Sequence, residues 1–393
     1  MRTLCTAVLA VMVTGLLAVV AGCGESPSSR PSSEAKPPLK VGAIFAVSGP
    51  ASFLGAPEEK TATMFVARIN KAGGIHGRPI ELIVKDSGGA PEKTVSLAKQ
   101  LIDEQKVLAI LGPTTSGETM AIKELCQEAR VPLISCAAAE TIVNPVASYV
   151  FKTPQKDSDA VRWIFRAMKK RGHARVGVIT SNDGFGTAGK AQIEKLAPAD
   201  GITVAISEVY DKQATDLTDV LTKLKGQQVQ AVINWSIVPA QSLAAKNMKQ
   251  IGLNVPLYQS HGFGNIKYAQ ASGEAANGTL FPCGRLLVAD VLPDDHPQKK
   301  LLMQYKSDYE NTYKEDVSTF GGHAYDAVLL FVEAARKTPE PTRDGIRDAL
   351  ETLRGVVGTA GVFNLSAEDH NGLAIDALEL LTVRDGKFAI AGD

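Results

Sequence analysis

The sequence predicts an α/β protein of two doubly wound lobes, each built on a parallel sheet, joined by a hinge that the chain crosses more than once. Three observations predict it. From Leu39 to Ser135 short apolar runs alternate with helical patterns in βαβ order, which implies a parallel sheet with helices on both faces. A second round begins near Val150, and Ala174-Arg-Val-Gly-Val-Ile-Thr180 echoes Leu39-Lys-Val-Gly-Ala-Ile-Phe45. At 393 residues the chain also exceeds what one ordinary core organises.

In the first lobe, residues 39–46 read as a strand that Ser48-Gly49-Pro50 ends. A helix is expected over 58–70, closed by Gly73-Gly74. A strand near 80–85, a helix near 92–104, a strand over 107–111, a helix running to Ala129 and a short strand over 131–135 follow. The second lobe starts with a helix at 159–170 and a strand at 174–180. Strands near 203–208, 231–235 and 256–259 then alternate with helices near 218–224 and 240–251. The tail departs from this alternation, with a strand at 278–281 and helices at 298–313, 323–335 and 344–353. It finishes as a β-pair of 374–384 with 387–391 across Asp385-Gly386.

The N-terminus has a different character. Arg2, an apolar run from Ala7 to Ala21 and the ending Val20-Ala21-Gly22-Cys23 resemble a bacterial lipoprotein signal peptide, with Cys23 as the lipidated residue. The run holds Thr14 and Gly15 and is short for a membrane span. Residues 24–38 are rich in Ser and Pro and hold no aliphatic residue larger than Ala, so they form a tether. The expected organisation is a signal peptide over 1–22, a lipidated tether over 23–38, and the first parts of lobes 1 and 2 over 39–155 and 156–280. Residues 281–393 then supply the hinge crossings and the rest of both lobes.

An apolar content of 45% with 21% charged residues, and 42 basic against 42 acidic residues, describes a soluble body with no polybasic face for nucleic acid. Cys5 leaves with the signal and Cys23 carries the lipid. Cys126, Cys136 and Cys283 remain, so at most one disulfide forms, and burial as small apolar side chains is expected. No Cys-x-x-Cys pair offers a zinc site, and neither a metal nor another cofactor is expected.

The stretch Leu108-Ala-Ile-Leu-Gly-Pro-Thr-Thr-Ser-Gly117 concentrates the chemistry. A buried strand stops at Gly112-Pro113, and Thr114, Thr115, Ser116 and Gly117 stand at the start of a helix. Free N–H groups, the positive helix end and hydroxyl donors converge there, which suits a carboxylate, while an ordinary Ser116 N-cap is the plainer reading. Gly184-Phe-Gly-Thr-Ala-Gly-Lys-Ala191 imitates a nucleotide loop. However, Ser181-Asn182-Asp183 separate it from the strand, and Ala191 stands where a Walker loop needs a hydroxyl. There is no Gly-x-Ser-x-Gly elbow and no His-Glu-x-x-His pair. His323 and Asp326, three apart on a predicted helix, could form a base and its orienter, but an i,i+3 polar pair is more often a surface contact, and an enzyme is not expected.

Several motifs in order resemble the leucine/isoleucine/valine-type periplasmic substrate-binding proteins that feed ABC importers. They are Val47-Ser-Gly-Pro50, Ile69-Asn-Lys-Ala-Gly-Gly-Ile75, Ile110-Leu-Gly-Pro-Thr-Thr-Ser116, Pro132-Leu-Ile-Ser135, Asp183-Gly-Phe-Gly186 and Gly321-Gly-His-Ala-Tyr-Asp326. The resemblance implies the type I periplasmic binding protein fold, closing on a small ligand. It places a ligand carboxylate at Ser116 and at the segment Ala137 to Ala139, with apolar walls from Leu54, Phe185, Ile237 or Val238, and Phe320. It also implies a monomer outside the cytoplasm, held to the membrane through Cys23 and partnered by permease subunits. Where the family's amino-acid binders carry a Thr and an ammonium-pairing Glu, this chain has Ala139 and His261. The ligand is then a hydrophobic amino acid with Asp183 or Glu140 as counter-charge, or an amine-free aromatic or branched acid. A sensor feeding a membrane receptor is the alternative role.

Overall fold

The computed structural model describes residues 36–392. Cys23, the apolar run before it and all but the last residues of the expected tether lie outside the described residues. Strands β1 (Leu39–Phe45), β2 (Ile80–Asp86), β3 (Ile110–Leu111), β4 (Leu133–Ser135) and β5 (Val150–Lys152) form a parallel sheet in the order β2-β1-β3-β4-β5. Between them run α1 (Ser52–Lys71), α2 (Pro91–Lys99) and α3 (Ser116–Glu128).

The second sheet takes β6 (Arg175–Ser181), β7 (Thr203–Tyr210), β8 (Ala231–Trp235), β9 (Leu257–Gln259) and β10 (Leu280–Gly284). β13 (Leu378–Arg384) and β14 (Lys387–Ile390) complete it, in the order β14-β13-β10-β9-β8-β6-β7. Its first five strands are parallel, and the tail pair joins antiparallel. Helices α4 (Asp157–Lys170), α5 (Gly184–Leu196), α6 (Thr218–Gly226), α7 (Leu243–Gln250) and α8 (Ile266–Ser272) cover it. α9 (Lys299–Tyr313), α10 (Thr319–Lys337) and α11 (Arg343–Glu351) follow, with a small pair β11 (Val356–Val357) and β12 (Val362–Phe363).

Each sheet is apolar on both faces. On the first, Phe45 and Leu111 join Phe65, Tyr325 and Leu330, while Ile44 and Ile110 join Leu101 and Ile122. On the second, Val178 and Ile233 join Phe165 and Tyr268, while Ile179 and Val232 join Leu221 and Ala244. Because α9 and α10 pack into the first lobe's core while β13 returns to the second sheet, the chain passes between lobes after β5, after β10 and before β13.

Several elements differ from the expectation for identifiable reasons. α1 starts at Ser52 rather than at residue 58, with Pro57 inside it. Proline has no N–H for the Phe53 carbonyl, and that carbonyl instead accepts from Asn265 Nδ2 of the second lobe at 2.8 Å. α2 continues to Glu104 through a π-helical turn, Gln100–Glu104. Only Ile110–Leu111 of the expected third strand is paired as a ladder. The stretch 240–251 divides into a 3-10 turn, Pro239–Ser242, and α7. β11, β12 and α8 are too short to show a period in sequence.

Glycines hide α5. Each has a packing reason, because a Cβ on Gly184 would lie 2.8 Å from Gly117 N, one on Gly186 1.9 Å from Ser181 O, and one on Gly189 2.0 Å from Trp235 Nε1. Asp183 fills the anion position at this helix start, its Oδ1 accepting from Phe185 N at 2.8 Å and Gly186 N at 3.0 Å. The loop therefore serves helix–sheet and lobe–lobe approach rather than a phosphate.

Gly189→Ala offers a direct test. Helix propensity favours alanine by about 1 kcal/mol, whereas a methyl set 2.0 Å from the Trp235 indole belongs at the upper end of overpacking costs, about 3 kcal/mol. The expected net loss is about 2 kcal/mol in urea denaturation. A midpoint at or above the wild-type value would show that the indole yields without cost.

Candidate ligand-binding site

A narrow cavity with about 20 Å³ of free room lies between the lobes, lined by Leu54, Thr114, Ser116, Cys136, Ala137, Ala138 and Pro154, and by Phe185, Ile237, His261, Gly262, Phe320 and His323. The strand ends and helix starts of the two lobes supply it. Gly112, at φ +84°, turns the chain after β3 so closely that a Cβ would lie 2.3 Å from Ile44 O. The hydroxyls after it then divide their work. Thr114 Oγ1 accepts from Ala46 N at 2.9 Å and donates to the buried carboxyl of Glu58. Thr115 caps α3 in a capping box with Glu118, whose Oε2 accepts from Thr115 N at 3.1 Å and Thr115 Oγ1 at 2.7 Å.

The cap is therefore Thr115, and Ser116 is the first helical residue. Its Oγ accepts from Ala139 N at 3.3 Å, which leaves the hydroxyl proton to donate elsewhere. Ala137 N donates to Ser135 Oγ at 3.0 Å, while among the described residues Ala138 N makes no hydrogen bond. The Ala138 carbonyl is drawn the other way by Lys152, whose buried ammonium donates to Ala138 O at 2.6 Å, Pro154 O at 3.1 Å and Gln155 O at 3.0 Å.

The second lobe contributes an aromatic wall. Phe185 lies with its ring centre 5.6 Å from that of Trp235, and His261 meets each ring edge-on at 5.4 Å. His261 follows β9 in a 3-10 turn, Ser260 Oγ accepting from Gly262 N at 3.1 Å. Both ring nitrogens of His261, Nδ1 of His323 and both oxygens of Asp157 are buried without a hydrogen-bond partner among the described residues. His261 Nε2 is 3.5 Å from Asp157 Oδ1.

Burial, with Lys152 nearby, pushes each imidazole down to about 3. Burial raises the Asp157 carboxyl and lowers the Lys152 ammonium, and each partner opposes the other's shift. Burial likewise raises Glu58 and Cys136 well above their ordinary ranges.

Of the residues expected from sequence, the structure brings Leu54, Thr114, Ser116, Ala137, Phe185, Ile237, His261 and Phe320 to one cavity. It leaves four out of the lining. Thr115 is spent on the cap, Gly117 N faces Gly184 of the other lobe, Ala139 packs with Ile122 and Ile142, and Val238 packs with Ala240 and Leu243. Neither suggested counter-charge reaches the lining: Asp183 caps α5, and Glu140 Oε2 accepts from Ser158 N at 3.3 Å. The His323 and Asp326 dyad is not formed. Asp326 instead accepts from Thr359 N at 2.6 Å, Thr359 Oγ1 at 2.9 Å and Ala360 N at 2.8 Å.

Ala138 lines the cavity as part of the expected segment Ala137 to Ala139, whereas Cys136, Pro154, Gly262 and His323 were not expected as lining. Only their places next to Ala137, Lys152, His261 and Phe320 could have pointed to them. Cys126, Cys136 and Cys283 are buried free thiols. No group of three or more His, Cys, Asp or Glu among the described residues could hold a metal ion.

The neutral histidines give stability a pH signature. Below their ordinary value of 6.5 the unfolded rings take up protons that the buried rings refuse down to about 3. Their contribution is therefore whole above 6.5 and is lost as pH falls through that window, by up to about 1.4 kcal/mol per pH unit for each ring. Glu58 and Asp326, raised by burial, act in the opposite sense and are unchanged by histidine substitution. The double variant His261→Gln/His323→Gln should thus lose less stability than wild type on acidification from neutral pH. Parallel curves in urea unfolding followed by circular dichroism would contradict this.

Comparison with known proteins places the chain. The family model described as periplasmic binding protein matches residues 38–387. A leucine-, isoleucine-, valine-, threonine- and alanine-binding protein of Pseudomonas aeruginosa is 24% identical over 330 residues, 81% of this chain and 85% of the relative. An extracellular ligand-binding receptor from Rhodopseudomonas palustris superposes with a TM-score of 0.85 at 28% identity, covering 91% of this chain and 99% of that one. The substrate-binding protein of a branched-chain amino acid transporter from Streptococcus pneumoniae, solved with isoleucine, gives a TM-score of 0.78 at 26% identity, covering 89% and 97%.

Proposed function

Since the chain belongs to the periplasmic binding protein family, we propose that it is an extracytoplasmic solute-binding lipoprotein that captures a small carboxylate-bearing ligand between its lobes and presents it to an ABC importer. The observation that carries this reading is the lining of the interlobe cavity. The cavity is walled by Leu54, Phe185, Ile237 and Phe320, and one end offers the Ser116 hydroxyl and the open amide of Ala138. Apolar walls with a few convergent polar groups suit a small organic acid. Burial of its body supplies affinity, and charge-assisted hydrogen bonds orient the carboxylate.

The Pseudomonas relative is named for aliphatic amino acids and threonine, and the Streptococcus structure holds isoleucine, so hydrophobic amino acids and acids of that size are the first ligands to test. The proposed protein works as a monomer, tethered through a lipid on Cys23, and needs no cofactor. It performs no covalent chemistry, in keeping with relatives that are binding proteins. Among the described residues no helix is long and apolar enough to cross a membrane.

Ser116→Ala should weaken binding by about 1 to 3 kcal/mol, the range for a hydrogen bond to a charged group. Calorimetry with any carboxylate ligand that shifts the melting temperature checks it, and an unchanged Kd would remove Ser116 from the site.

Closure has its own handle. Asn265→Asp keeps the side-chain oxygen that accepts from Lys267 N but sets a carboxylate against the Phe53 carbonyl. If closed lobes are the binding state, the apparent affinity should fall about tenfold through the smaller closed population. Equal affinity, with the ligand-free radius of gyration unchanged, would show that this contact does not hold the closed state.

A further inference from the structure

The cavity lining contains no acidic side chain. Four acids lie behind it. Glu58 stands behind Thr114, which donates to it, and burial raises its carboxyl well above the ordinary range. Asp183 is engaged by Phe185 N, Gly186 N and Ser181 Oγ. Glu140 is engaged by Ser158 N. Asp157 sits behind the His261 ring, 3.5 Å from Nε2.

The positive groups are placed differently. Lys152 holds the carbonyls of two lining residues, Ala138 and Pro154, so its ammonium is one backbone group away from the cavity. Ser116 opens α3, whose first-turn N–H groups and dipole favour negative charge. His261 and His323, both 94% buried, turn no charge of their own toward a ligand, because burial beside Lys152 holds them neutral.

We propose that the ligand is an amine-free monocarboxylate with an apolar body, and that the site discriminates against α-amino acids. The inference rests on the reading that the cleft takes a carboxylate, and it deepens that reading by naming the class. A buried ammonium needs an ionised acid or several free acceptors around it. Here it would meet hydroxyls already shared with backbone, two neutral rings and the like charge of Lys152. A single carboxylate meets the reverse: the buried charge of Lys152 behind two carbonyls, the Ser116 hydroxyl, the open Ala138 amide and imidazoles that each have one N–H to give.

Isothermal calorimetry on the purified protein with matched pairs decides the matter: 4-methylpentanoate against leucine, and 3-phenylpropanoate against phenylalanine. The expected result is that the amine-free member of at least one pair binds ten times or more tightly than its amino acid. An amino acid that binds as tightly as its amine-free partner, or more so, overturns the inference while leaving the carboxylate reading intact. Binding by no member of either pair, nor by any other carboxylate in a melting-temperature screen, overturns the carboxylate reading and the inference with it. The charge argument has a separate arm in His261→Glu, which puts an acid on the lining. It should move the preference toward the amino acid by tenfold or more, and retained binding with an unmoved ratio overturns the argument. Should that variant fail to fold, the wild-type ratios alone decide.

Discussion

Lys152 ends the first sheet with its ammonium buried and shared among the carbonyls of Ala138, Pro154 and Gln155, and much of the cleft depends on that arrangement. A buried ammonium without acceptors would cost several kcal/mol. The chain around it therefore has little freedom to move without losing those bonds together. One bond fixes the loop after β4, which presents Ala137 and Ala138. The other two fix the first crossing toward α4. A return crossing is tied to the same place, since Lys152 N donates to His370 O at 3.2 Å and Asn371 Nδ2 donates to Pro154 O at 2.8 Å. Gln155 Nε2 adds a bond to Ala360 O at 2.7 Å. The crossings thus form one hydrogen-bonded unit, a different object from a flexible linker.

Around this floor the lobes meet through contacts that are few and specific. Leu54 of α1 and Phe320 of α10, carried by first-lobe helices, pack with Phe185, Trp235 and Ile237 of the second lobe's core. Phe53 approaches Tyr268 with ring centres 5.5 Å apart, next to the Asn265 bond that Pro57 makes available. Most apolar burial belongs to the separate sheets, whose two-faced cores do not need the other lobe. Folding stability and lobe closure therefore draw largely on different residues, which is the condition for a cleft that opens without unfolding.

The fold was legible because its signal is local. Apolar runs such as Ala231–Trp235 are buried on both faces and read as parallel strands without an alignment. The hydroxyl run at 114–116 was likewise marked by its place after a strand and at a helix start, whereas the walls at Leu54, Phe185 and Phe320 followed only from the family resemblance. What stayed hidden was either a local rule masked by a neighbour or a pairing of residues far apart in the chain. Thr115 rather than Ser116 is the cap because Glu118 completes its box, a local rule that the neighbouring serine obscured. Asp157 and Lys152 look like surface charges in sequence, and only folding brings them beside His261, more than a hundred residues away. The early start of α1 was masked by Pro57, whose cost is met by a side chain from the opposite lobe.

Two helix starts face each other across the cleft, and they are neutralised in different ways. Gly184 at the start of α5 lies against Gly117 at the start of α3, close enough that a Cβ on Gly184 would meet Gly117 N at 2.8 Å. Each helix end carries roughly half a positive charge, and two such ends a few ångströms apart at an intermediate dielectric repel by about 1 kcal/mol. α5 carries its own neutralising group in Asp183, whose Oδ1 takes two of its first N–H groups. α3 has Glu118 in its first turn, but that carboxylate is directed at Thr115 and Thr94, away from Ser116. The negative charge missing on the cleft side of α3 is one that a ligand carboxylate would bring under the proposed reading. Closure onto an empty cleft would leave that end unneutralised, whereas closure onto an anion would not. The carboxylate would then do more than orient the ligand, because it would bias the lobes toward the closed state.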